Sequence, residues 1–89
     1  MARLEMTDTT SALMGEAKPS GDDLFELGMM YSAGIDSEPD LVEAHKWFNL
    51  AAIRGNVSAA SYRQEVAREM SSADVAAAQR AAREWLTRH

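Results

Sequence analysis

The chain has no cysteine. That excludes disulfides and thiolate metal sites as staples for its core. Histidine is scarce as well. His45 and His89 are the only two, far apart in sequence, and a zinc site needs more donors than they offer. No run of about 18 apolar residues occurs, so no segment is expected to span a membrane. The opening stretch MARLEMTDTTSALMGEAKPSG lacks a basic start followed by an apolar block, and no secretory signal is expected from it. With neither cysteine nor a signal, the expected location is the cytoplasm. Strand alternation and a glycine-rich phosphate loop are missing too.

Positive charge is thin over the first part of the chain. Residues 1–53 carry Arg3, Lys18 and Lys46 against ten acids, a net −7. Residues 54–89 carry six arginines against four acids, a net +2, which leaves −5 for all 89 residues. An acidic chain without a basic patch is not expected to bind nucleic acid. The uneven split permits head-to-tail attraction between copies, although a solvated surface explains it more simply. A chain of this length makes one domain with a thin core, burying roughly 60–65% of its unfolded surface.

What is present is helical. Residues 1–20 are polar and without a sustained period, and read as a flexible arm. A helix is expected over about 21–33, where Ser20 and Asp23 have capping-box spacing. Leu24, Leu27, Gly28 and Tyr31 share one face of it, and Gly34 ends it. A second helix is expected over about 38–54, capped by Ser37 with Pro39 in its first turn. Its buried stripe is Leu41, Ala44, Trp47, Phe48, Ala51 and Ala52, and Gly55 closes it in a left-handed conformation. A third helix covers about 57–70, with Ala59, Tyr62, Val66 and Met70 inward. A fourth runs from about 72 to 87 behind a Ser71–Asp74 cap, with Val75, Ala78, Ala82, Trp85 and Leu86 inward. Short loops make neighbouring helices antiparallel.

Gly28 needs a reason, because a glycine inside a helix costs about 0.5–1 kcal/mol relative to alanine. On an apolar face it removes a Cβ where a second helix must come close. The ring-bearing second helix is the expected neighbour, with a gap on one side facing an indole on the other.

Leu27, Gly28, Tyr31 and Gly34, followed by Asp40, Ala44, Trp47, Phe48, Ala51, Ala52, Gly55 and Ala59, form one register over residues 27–59. This pattern closely resembles the Sel-one-like repeat, a relative of the tetratricopeptide repeat. The resemblance implies an all-α fold of two antiparallel helical hairpins in a tetratricopeptide-like superhelix. Residues 21–55 would be the complete repeat and 56–89 a degenerate capping hairpin. Asp23 stands where the family often has alanine, and Arg63 and Gln64 stand where Leu–Gly would recur. Ala82, Trp85 and Leu86 echo Ala44, Trp47 and Phe48 at an offset of 38 residues.

No catalytic constellation is visible, so neither an enzyme nor a cofactor is expected. Serines and aspartates sit at helix caps, and His45 lies one residue off the buried stripe, where a partly exposed position is expected. The family's role is protein–protein interaction, and its first helices line the concave surface. By resemblance, Phe25, Glu26, Met29 and Met30 would face a protein partner, and methionine suits an adaptable surface. In the plainer alternative, Phe25 and Met29 are ordinary core. Repeat arrays need about three units for stability, and roughly two are present here. The arm would then fold over the open edge, the chain would self-associate as a homodimer, or a partner would complete the stack. A non-catalytic adaptor is the favoured reading, ahead of a homo-oligomeric structural protein or the regulatory subunit of another enzyme.

Overall fold

A computed structural model describes residues 18–89. All but the last three residues of the expected N-terminal arm lie outside the described residues. The described part is all-helical: α1 (Gly21–Ala33), α2 (Leu41–Ile53), α3 (Ala59–Ala67) and α4 (Ser72–Arg88).

The caps explain where the helices begin. The Ser20 side chain accepts the Asp23 N–H and the Asp23 carboxylate accepts the Ser20 N–H, each at 3.1 Å, so α1 has the full capping box. The Ser71 hydroxyl accepts the Asp74 N–H at 3.0 Å and starts α4. The second helix begins later than its spacing suggests. Its cap is Asp40, which accepts the Glu43 N–H at 3.1 Å. Ser37 and Pro39 belong to the preceding loop instead, because the Asp40 N–H donates back to the Tyr31 carbonyl and ties that loop to α1. Helix α3 is shorter than its apolar pattern, since Ser58 makes no side-chain cap and the chain turns again after Ala67. Gly34 and Gly55 both take positive φ, 70° and 96°, and end their helices as expected.

Helix α2 is the centre of the fold, and α1, α3 and α4 each pack against it. Helices α3 and α4 share few contacts with one another. This arrangement corrects the single stripe read from the sequence. Ala44, Phe48 and Ala51 are fully buried as expected, but so is Leu50, and His45 is only 3% exposed. A helix covered on three sides buries positions all around it. Conversely Tyr31, Tyr62 and Leu86, expected inward, are 38%, 39% and 37% exposed.

Gly28 is buried against the Phe48 ring. A Cβ there would stand 2.5 Å from two ring carbons. The neighbour is therefore the phenyl ring of Phe48 rather than an indole; Trp47 packs edge-on to Trp85 of α4, with centroids 5.8 Å apart. Seven residues before Gly28, on the same face, Gly21 meets the end of α2, where a Cβ would lie 2.8 Å from the Arg54 carbonyl oxygen. Two bare positions two turns apart thus let α1 lie directly on α2. The same seam carries polar ties: Arg54 Nη1 donates to the Pro19 carbonyl at 2.7 Å, and Asn56 Nδ2 to Asp22 Oδ1 at 2.9 Å. Full burial of an aromatic ring contributes about 1.5–3 kcal/mol, more than the helix penalty of one glycine.

At an open site Gly28→Ala would stabilise the helix by about 0.5–1 kcal/mol. Here the contact with a fully buried ring reverses the sign. Gly28→Ala should lower the urea midpoint, and Gly28→Leu should cost about 1–3 kcal/mol through overpacking. A raised midpoint for Gly28→Ala would show that the Phe48 ring moves aside freely.

Candidate functional site

A groove opens between the C-terminal half of α1, the start of α2 and one face of α3. Met29 and Ser32 line it from α1, Pro39 and Leu41 from the loop and the start of α2, and Tyr62, Glu65, Val66 and Glu69 from α3 and the turn after it. Its volume is about 490 Å³, and it is open to solvent along one side.

The floor is a cluster of three rings, one from each helix. Phe25 and Tyr62 meet edge to face with centroids 5.1 Å apart, Phe25 and Phe48 lie at 5.5 Å, and Phe48 and Tyr62 at 5.6 Å. Aromatic pairs at such spacings favour tilted and edge-on geometry, which fixes the rings in place. Phe48 also belongs to a buried cluster with Ala44 and Val66, against which Phe25, Leu41 and Met70 pack. The groove is therefore built on the seam that Gly28 permits.

The four residues expected at a binding surface separate in space. Met29 is 39% exposed and lines the groove. Phe25 is half-buried in the ring cluster beneath it, so it supports the floor as a core residue. Met30 is half-exposed and lines a different, smaller hollow of about 170 Å³ with Tyr31 and Ile35. Glu26 is exposed and lines neither. Tyr62, Val66, Glu65 and Glu69 were not singled out as site residues. Part of the signal was present in the spacing of Tyr62 and Val66, four residues apart on one face of α3. The degenerate pattern of that segment hid it.

Among the described residues, no group of three or more histidines, cysteines, aspartates or glutamates is placed to hold a metal ion. No helix there is long and apolar enough to cross a membrane. Among the described residues, the one perturbed titratable group is not part of the groove lining. His45 is buried on α2, and its Nδ1 has no hydrogen-bond partner among the described residues. Burial away from water lowers its pKa from the ordinary 6.5, and the positive charge of Arg63 lowers it further. Arg63 is held nearby by a 2.7 Å hydrogen bond to Asn49 Oδ1. The expectation of a partly exposed His45 is corrected: α3 covers the side of α2 that carries it.

Comparison of the chain with protein-family models, curated proteins and solved structures returned no match.

The lowered pKa of His45 has a defined consequence for stability. The fold favours the neutral imidazole, so this contribution is complete above the unfolded value of 6.5 and is lost as pH falls through the lower folded value. The melting temperature should hold between about pH 8 and pH 7 and drop on acidification toward about pH 5, before carboxylates titrate. His45→Leu should remove that segment of the curve. An identical slope in the variant would assign the loss to other groups.

Proposed function

We propose that this chain is a non-catalytic adaptor of the cytoplasm that binds a protein segment in the groove beside α1. The observation that carries this reading is the groove itself: an open, apolar channel with a fixed aromatic floor, lined by the flexible side chain of Met29. Apolar side chains that remain accessible above a rigid floor are the usual basis of helix-in-groove recognition.

The Sel-one-like reading of residues 27–59 supports the same function. In that reading α1 and α2 form an antiparallel repeat unit and α3 and α4 form its cap, with the first helix of each unit facing the concave side. The signature positions have physical roles that suit it. Gly28 admits the Phe48 ring, Asp40 caps α2, and Ala44, Ala51 and Ala59 are fully buried where helices approach. Leu27, Trp47 and Ala52 pack against the larger of the two core clusters.

Self-association is the second reading, supported by Ile53 and Val57, which are 58% and 96% exposed at the corner between α2 and α3. An exposed aliphatic pair at the end of a helical stack is a surface that a second copy would cover. Light scattering over a dilution series separates the two. A monomer at every concentration favours the adaptor, and a concentration-dependent dimer favours the stack end.

For the adaptor, Met29→Asp is the direct test. The side chain is partly exposed, so the fold should be retained within about 0.5 kcal/mol. Binding of a partner recovered with the unaltered chain should be lost, while Arg80→Asp on α4 should leave it intact. Unfolding of the Met29 variant would make Met29 core and displace the site; retained binding would move the site elsewhere.

A further inference from the structure

The charged groups around the groove are all of one sign. Its lining holds only two ionisable side chains with charge at neutral pH, Glu65 and Glu69. They are four residues apart, one helical turn along the same wall, and both are exposed. Two like charges at that spacing repel. They also stand at the C-terminal end of α3, where the helix dipole favours cations over anions. Arg68 fits that dipole, but it is exposed and does not line the groove. Neither glutamate takes part in an ion pair or a side-chain hydrogen bond among the described residues, where the ion pair present is Lys46–Glu43 on α2. Glu38 and Asp40 adjoin Pro39 in sequence, but Glu38 lines the smaller hollow and the Asp40 carboxylate caps α2, so neither lines the groove.

Two carboxylates that disfavour their own helix, border an apolar channel and have no cationic partner among the described residues favour a partner that brings cations to them. We infer that the groove takes a short basic amphipathic helix. Its apolar side chains would sit on Met29, Leu41 and Val66, and its lysines or arginines would meet Glu65 and Glu69. This rests on the reading of the groove as a protein-binding site. Of the three arginines on α4, Arg80 and Arg83 line a hollow with Glu84 and Thr87 that has no apolar side chain in its lining. A second copy is therefore a poorer occupant than a foreign segment.

The test uses the full chain and three synthetic helical peptides with the same leucine stripe, flanked by lysine, glutamine or glutamate. Binding is followed by fluorescence anisotropy of the labelled peptide at low and high salt. The lysine peptide should bind best, the glutamate peptide worst, and the gap should shrink as salt screens the charges. The double variant Glu65→Lys/Glu69→Lys should weaken the lysine peptide by about tenfold and favour the glutamate peptide. Its melting temperature should be no lower than that of the unaltered chain, since lysines suit the C-terminal end of α3. Equal binding of the lysine and glutamine peptides would overturn the basic partner while leaving the groove as a binding site. If no peptide binds, or if Met29→Asp leaves binding unchanged, the groove reading itself falls. Concentration-dependent dimers that the double variant dissolves would identify a second copy as the occupant and overturn the inference.

Discussion

The approach of α1 to the Phe48 ring is the constraint on which the other contacts depend. A Cβ at Gly28 would overlap that ring, and one at Gly21 would overlap the backbone at the end of α2. With both positions bare, the two helices lie close enough for Leu24, Leu50 and Ala51 to join one buried cluster. The same closeness brings Phe25 over Phe48 and leaves room for Tyr62 of α3 to complete the three-ring floor. In a chain with few aromatics, that cluster uses both phenylalanines and one of the two tyrosines. The core and the candidate site are therefore built on the same rings, and a change at the seam reaches the groove.

The second anchor is the pair of tryptophans between α2 and α4. Trp47 lies edge-on to Trp85 and donates its indole N–H to Glu43 at 3.0 Å. The Arg54 guanidinium stands 5.0 Å from the centre of the Trp85 ring. Arginine over an indole is a favourable cation–π arrangement. The same arginine also ties down Pro19.

Burial without a hydrogen-bond partner makes His45 the polar weak point of the core. The site favours the neutral imidazole over the charged one. The groove has the opposite character, with apolar side chains left accessible and carboxylates left unpaired. The two features answer to different conditions, one to pH and the other to a partner's charge.

Much of the helical plan was legible from local chemistry. Ser20 with Asp23 and Ser71 with Asp74 mark helix starts because a hydroxyl satisfies a free N–H within three residues. Gly34 and Gly55 mark ends because they accept positive φ. Gly28 announced a close contact, since nothing local justifies a glycine there. What local chemistry left open was which groups meet across the fold. The ring over Gly28 is Phe48 and not Trp47, because α4 claims the indole. Leu50 and His45 are buried because α2 has neighbours on three sides, and no periodicity within α2 encodes the number of its partners. Phe25, Met29 and Met30 look alike in sequence, yet one supports the floor, one lines the groove and one faces another hollow. Caps and turns depend on residues a few positions apart and are fixed by the sequence itself. Burial and the grouping of side chains into a site depend on residues far apart in the chain, so the tertiary structure alone decides them.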